Sequence, residues 1–296
     1  MNNAYDIAAK ALYDYHNIHM SANTVRKIAQ DEGRNILAWQ RNDKAAEDFI
    51  KAKGVVEFTT DGVMVNTYSE TEGEDNWREM KAAMVSKRDL GDYATPETMD
   101  KRTLPSPNIS VAIAAIESSE KFTSRWTPLM KRLKFFDFEH LHVLADGARW
   151  IWEAADEKFI NYQGCLDFYH ATQTIYGALK EIYETEEERN RLFAQWSDAL
   201  LHDGWIGIRD IIHNAQVEGG SKHETEVLQK LYIYFSKHSE HLNYKSRLAN
   251  GFSIGSGQIE GANKQRVTRR LKQTGARWRI SRVNRMIGLI IAYRHK

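Results

Sequence analysis

The sequence predicts an α/β fold: a mixed five-stranded sheet flanked by helices, with a large all-α stretch inserted late in the chain. Three observations lead there. Apolar runs VVEFTT, GVMVNT and WREMKAAMVS follow one another between residues 54 and 86, which reads as an antiparallel meander. HLHVLAD (140–146) and CLDFYH (165–170) then alternate with helical patterns, adding two strands to the same sheet. Residues 171–249 contain no convincing strand and read as several helices.

The elements follow in order. Residues 3–16 form a helix, with Ile7, Ala8, Ala11, Leu12 and Tyr15 near 3.6-residue spacing. After the connector NIHM, Ser21 is placed to cap SANTVRKIAQDEG, and Gly33 to stop it. Two short helices joined by a tight turn suggest a helix-turn-helix, with residues 22–32 as the recognition helix. Asn23, Thr24, Arg26 and Lys27 would then face phosphates and base edges. An ordinary αα-hairpin fits the same pattern. Residues 34–52 continue as a polar helix. Asp61-Gly62 between apolar runs signals a hairpin turn, and the acidic stretch 69–76 a second loop. Pro96, Pro105 and Pro107 mark 91–108 as a loop or extended crossover. VAIAAIESSEKFTSRWTPLMKRL (111–133) reads as helix, bent or broken before Pro128. GARWIWEAADEKF is a helix after the buried strand HLHVLAD. Trp196, Trp205, Tyr232 and Tyr234 are the expected packing anchors of 171–249. The chain thus divides into 1–52 (helix-turn-helix and linker helix), 53–170 (first part of the core), 171–249 (helical insertion) and 250–296.

Composition bounds the functional class. The chain has 296 residues, 42% of them apolar, with eight Trp and thirteen Tyr, enough for a sizeable core. No run approaches 18 uncharged apolar residues, so no membrane span is expected, and the acid-bearing N-terminus does not resemble a signal peptide. Cys165 is the only cysteine, which excludes an intramolecular disulfide and a cysteine-based zinc ribbon and fits a reducing cytoplasm. Net charge is +1, but residues 261–296 hold eleven basic residues and no acidic one. The first 260 residues hold 30 basic against 40 acidic, a net of −10. A basic arm on an acidic body points to a polyanionic partner, nucleic acid above all. Lys264, Arg266, Arg269, Arg270, Arg277 and Arg279 are the candidate DNA contacts in that arm.

Three carboxylates carry the chemistry. Asp61 (VVEFTTDGVMVNT) and Asp146 (HLHVLADGARW) each end an apolar run, and Glu260 (SIGSGQIEGANKQ) follows a glycine-rich turn at the start of a basic helix. Each has an ordinary reading alone: hairpin turn, loop after a strand, or helical ion pair with Lys264. As a set they can converge on two divalent cations, which chemistry on phosphodiesters requires. Mg²⁺ is a hard cation that takes oxygen ligands and keeps several waters. Gly255-Ser256-Gly257 reads either as a phosphate cradle or as a flexible turn; it is not a Walker loop. Asp167 and His170, three apart, can face each other across a helix's first turn. A histidine ordering a helix end or a carboxylate fits them better than zinc. His140 and His142 read as structural.

TTDGVMVNT, VLADGARWIW, LDFYH and IGSGQIEGANKQ, in this order, resemble insertion-sequence transposases of the Kra type. These are DDE enzymes with a ribonuclease-H-like catalytic domain, more distantly similar to Mutator-like transposases. The resemblance spans roughly residues 20 to 290. It implies that Asp61, Asp146 and Glu260 are the metal-binding catalytic triad, holding two Mg²⁺ ions for which Mn²⁺ can substitute. It implies that Asp167-x-x-His170 is the C/D(2)H motif, a structural support of the site, and that Lys264 is the basic residue one turn beyond the glutamate. The 114 residues from Asp146 to Glu260 leave room for the helical insertion that related transposases carry. Family members usually have more N-terminal sequence, often cysteine-rich and zinc-binding. Met1 here starts just inside the helix-turn-helix and no zinc-type cysteines are present, so either a shortened copy or a trimmed chain is expected.

The function implied is metal-dependent DNA cleavage and strand transfer at insertion-sequence ends. The partners are terminal inverted repeats and target DNA, with the protein acting as a homo-oligomer on DNA in the prokaryotic cytoplasm, at the nucleoid, and not at a membrane. The alternatives are a non-catalytic DNA-binding remnant of a transposase and a structure-selective nuclease on the same core.

Overall fold

The structure, a computed structural model, describes residues 4–39, 43–68, 76–255, 279, 280 and 283. A five-stranded mixed sheet lies at its centre, in the order β3-β2-β1-β4-β5. The strands are β1 (Val55–Asn66), β2 (Trp77–Arg88), β3 (Ile109–Ala115), β4 (Leu141–Ala145) and β5 (Gln163–Leu166). β1, β2 and β3 are antiparallel neighbours, while β4 runs parallel to β1 and β5 parallel to β4. The coarse expectation of an α/β chain with a five-stranded mixed sheet holds, but two of its strands arise differently.

Asp61-Gly62 is not a turn. β1 runs through it for 12 residues, with Asp61 opposite Ala82 and Gly62 opposite Lys81 on β2. The reversal falls beyond Thr67, whose N–H donates to the Asn76 carbonyl at 2.7 Å. β2 offers one long uninterrupted partner, so folding 62–67 back onto 56–60 would forfeit half its ladder. At Gly62 an added Cβ would meet only the end of the Glu79 side chain, which is ion-paired with buried Lys81. The second correction is VAIAAI, expected as helix, which forms β3 from Ile109 to Ala115 along the outer edge of β2. Ile109, Val111 and Ile113 alternate at period two, and the open edge of β2 supplies partners that an isolated segment lacks. The helix begins only after Ser118, which caps α4 (Ser119–Thr123); α5 (Trp126–Arg132) takes Pro128 in its first turn, where no N–H is needed.

At the N-terminus, α1 (Ala4–His16) and α2 (Ala22–Trp39) form a helical hairpin. The Ser21 hydroxyl accepts from Thr24 N–H at 3.1 Å, as an N-cap does. Gly33 does not stop the helix: α2 continues to Trp39, and Gly33 lacks the positive φ of a C-terminal stop. It is buried instead. Of the candidate DNA contacts on α2, Lys27 is exposed and Arg26 half-buried. α3 (Asp43–Lys51) precedes the sheet.

One face of the sheet packs an aromatic cluster. Phe58 meets Trp126 at 4.7 Å between ring centres, and Trp126 stacks on Phe159 at 5.9 Å. The helix α6 (Arg149–Lys158) follows β4. The other face carries α7 (Phe168–Ile182), α10 (Tyr244–Ala249) and the segment 251–255. α8 (Glu186–Glu218) and α9 (Lys222–Lys237) complete the all-helical stretch, with Trp196 buried and Trp205, Tyr232 and Tyr234 partly buried against the core. Among the described residues no helix is long and apolar enough to cross a membrane. Trp126→Ala should lower stability by about 3–5 kcal/mol, the range for emptying a buried aromatic site. Urea unfolding beside Trp77→Ala, at an exposed tryptophan, checks this; equal effects would place the core elsewhere.

Candidate functional site

The parallel register brings three aspartates to one level. Thr60 on β1 pairs with Ala145 on β4, and Ala145 pairs with Leu166 on β5. Asp61, Asp146 and Asp167 each follow one of these residues. Asp167 N–H donates to the Ala145 carbonyl at 2.7 Å, carrying the ladder one step further. Side chains alternate faces along a strand, so the three fall on the face opposite Thr60, Ala145 and Leu166. Neighbouring strands lie about 4.8 Å apart. Asp61 does not end its strand as the sequence suggests. β1 continues beyond it, whereas β4 and β5 stop, opening a crevice at their carboxyl ends.

Asp146 is half-buried and its turn is well held. Its Oδ1 accepts from Ala148 N–H at 2.9 Å, and its backbone carbonyl accepts from Trp152 Nε1 at 2.7 Å. The first contact keeps one carboxylate oxygen at the head of α6. Asp167 is fully buried. It caps α7, accepting from His170 N–H at 2.9 Å, with His170 Nδ1 3.4 Å from the same oxygen. The pair thus faces across the first turn of α7, as the spacing predicts. Its strand stops one residue earlier, at Leu166.

The chain then returns to this row. Gly251, at φ 71°, follows α10 and turns the backbone into 252–255. The Ile254 carbonyl accepts from Phe168 N–H at 2.9 Å, and a Cβ on Gly255 would lie 3.4 Å from Asp167 Oδ2. The last residue before Ser256 is therefore beside the aspartates. The next described residues, Arg279, Ile280 and Val283, include Val283 buried among Val63, Val65 and Met80. Val63 and Val65 share the Asp61 face of β1. Glu260, Lys264, Arg266, Arg269, Arg270 and Arg277 lie outside the described residues, in the stretch between these two anchor points; Arg279 is exposed.

A buried polar network below the row was not singled out in the sequence. Arg88 is ion-paired with Glu57, both fully enclosed, and its Nη2 donates to Ser253 Oγ at 2.6 Å. Arg247 Nε donates to the Ser253 carbonyl at 2.7 Å, and Arg247 Nη1 lies 3.3 Å from His142 Nδ1. Arg102 Nη1 donates to the Phe252 carbonyl at 2.9 Å. The only trace in the sequence is charged residues inside apolar runs. Burial, then Arg247 and Arg88, push the His142 pKa down to about 3. His140, by contrast, is exposed beside Asp137, whose hydrogen bond raises its pKa. Burial raises the Cys165 thiol to about 11, which leaves it an inert core residue.

Among the described residues, no group of three His, Cys, Asp or Glu side chains is placed to hold a metal ion. Asp61 and Asp146 are the two members of the expected triad that lie among the described residues. Carboxylate oxygens as a class suit Mg²⁺ or Mn²⁺ rather than zinc. No protein-family model matches the chain, and no characterised protein matches it significantly.

The folded state holds His142 neutral while the unfolded chain titrates near its ordinary 6.5. The unfolded state thus binds the extra proton, and stability falls as pH drops below 6.5 toward 3. The limiting slope is about 1.4 kcal/mol per pH unit for this one group. Urea midpoints between pH 7 and 4 should show His142→Asn with a shallower dependence than the unmodified chain; parallel curves would remove His142 from the acid sensitivity.

Proposed function

We propose that the chain is a DDE transposase that cleaves and joins DNA at insertion-sequence ends, on a ribonuclease-H-like core. One observation carries the reading: Asp61 and Asp146 directly follow Thr60 and Ala145, which pair on the neighbouring parallel strands β1 and β4. The sheet order supports the core assignment, with an antiparallel β1–β2–β3 meander extended by parallel β4 and β5. The 171–249 stretch, helical between β5 and the segment leading to Glu260, supports the insertion. Glu260 completes the triad in this reading, since the chain bearing it leaves beside Asp167 and is next anchored beside Val63.

Asp61, Asp146 and Glu260 would hold two Mg²⁺ ions, with Mn²⁺ as substitute. Bound there, the ions supply water activation and stabilise charge on the attacking and leaving oxygens. The chain's own groups orient the carboxylates. The Ala148 N–H and the Trp152 indole fix the Asp146 turn, and Asp167 with His170 anchors the head of α7. Lys264 and the basic arm hold phosphates of the terminal repeat and target. The reaction is hydrolysis of one strand at the element end, then in-line attack of the freed 3′-OH on target DNA. The place of action is the prokaryotic nucleoid, with the protein assembled as a homo-oligomer on DNA.

Asp61→Asn and Asp146→Asn should each abolish cleavage and joining of terminal-repeat DNA in Mg²⁺ or Mn²⁺, with Glu260→Gln behaving alike. DNA binding in Ca²⁺ should persist or tighten, because a lost carboxylate repels phosphate less. Full activity in either aspartate variant would refute the reading. Cleavage without strand transfer by the unmodified chain would favour the structure-selective nuclease, and binding without cleavage the non-catalytic remnant.

Replacing Arg269, Arg270, Arg277 and Arg279 should weaken binding to all sequences alike. Each lost phosphate contact should reduce the slope of log affinity against log salt by about 0.9. An unchanged slope would assign those arginines to structure.

A further inference from the structure

We infer that α9 of the helical insertion is a positioning element for the Asp146 carboxylate, acting through the packing of Tyr234 on Gly147. This rests on the triad reading and adds to it a role for the insertion in setting the site.

Gly147 follows Asp146 directly, between β4 and α6. Its φ is not positive, so its backbone conformation admits alanine. What excludes a side chain is Tyr234: a Cβ on Gly147 would lie 2.7 Å from Tyr234 Cζ, and closer still to Cε2 and the hydroxyl. The aromatic ring of an insertion helix therefore rests on the backbone of the Asp146-Gly147 turn. One helical turn on, His238 is buried, its ring close to the Gly147 backbone. It lies 5.2 Å from the Tyr234 ring and 5.6 Å from that of Trp152, whose indole holds the Asp146 carbonyl.

Tyr234 stands beside α7, near Thr174, whose own hydroxyl donates to the His170 carbonyl at 3.0 Å; α7 is the helix capped by Asp167. The contacts run in series: Asp167 caps α7, Tyr234 of α9 lies beside α7 and covers Gly147, and Gly147 follows Asp146. The local contacts from Ala148 and Trp152 restrain the turn from within. Tyr234 and His238 are what restrain it from outside. Moving α9 away from the core would release one wall of the turn, so insertion docking and carboxylate placement are one event.

The test uses Gly147→Ala, Tyr234→Leu and their combination; leucine lacks the Cε2, Cζ and hydroxyl atoms that meet the added methyl. Free-protein Mn²⁺ affinity, read by electron paramagnetic resonance of unbound Mn²⁺, is measured beside cleavage of element-end DNA, with circular dichroism confirming the fold. Gly147→Ala should weaken Mn²⁺ binding and slow cleavage by about 10–100-fold, the usual effect of disturbing a ligand's supporting contacts, with DNA affinity in Ca²⁺ unchanged. The double variant should recover most of the Mn²⁺ affinity. An unchanged Mn²⁺ affinity in folded Gly147→Ala, or a double variant no better than the single, would overturn the inference. Should Gly147→Ala fail to fold, Tyr234→Leu decides: weaker Mn²⁺ binding supports the role and unchanged binding removes it. Asp146→Asn is the control for the underlying reading. If it binds Mn²⁺ as tightly as the unmodified chain, the triad fails whatever Gly147 does.

Discussion

The pairing of Thr60 with Ala145, and of Ala145 with Leu166, is the constraint on which the candidate site depends. Alternation makes it strict: a slip of one residue in either pair would send one aspartate to the opposite face. The apolar side of each strand holds the register. Phe58 on β1, Val143 on β4 and the aromatic cluster around Trp126 are fully buried, and none can reach that core from a shifted strand. A hydrophobic requirement on one face thereby places carboxylates on the other.

The second support is the ionic layer beneath the carboxylates. Arg88, Glu57, His142, Arg247 and Ser253 are all buried. Removing such charges from water is expensive, and a buried ion pair is weak evidence of net stability. Its geometric effect is clearer. It joins β1, β2, β4 and α10 to one short stretch, with Arg88 on the Ser253 hydroxyl and Arg247 on its carbonyl. Arg102 adds a third grip on Phe252. The segment that precedes Glu260 is therefore delivered to the aspartate row along a fixed path.

The helical stretch reaches the same place from the other side. Asp167 caps the start of α7, and His238 at the end of α9 lies against Trp152, whose indole holds the Asp146 carbonyl. The long α8 breaks at Gly204, whose φ of 56° and ψ of −127° leave helical geometry, where the Leu242 carbonyl crowds its Cα. Only glycine accepts both the conformation and the close approach.

Local pattern alone determined much of this. Five fully buried residues in β4, the Asp167–His170 spacing at a helix start and the helical run after 171 are all short-range signals, and the structure shows each element where the pattern puts it. Local pattern misled where a partner elsewhere decided the outcome. Asp61-Gly62 carries hairpin chemistry, but twelve residues of β2 draw β1 out straight. The run at 111–116 suits a helix until the β2 edge captures it as β3. Gly33 invites a stop that its buried, helical setting does not take. Asp61 and Asp146 could be picked out from residue type and flanking runs, because carboxylates after apolar strands are a local feature. Their alignment with Asp167, the Arg88–Glu57 layer and the Tyr234 ring over Gly147 join residues 85 or more positions apart or cross three strands, and nothing in a one-dimensional pattern encodes that proximity. Sequence specified the chemistry available; tertiary register and packing decided which groups meet, because hydrogen-bonded edges and buried apolar faces are satisfied only by the whole chain at once.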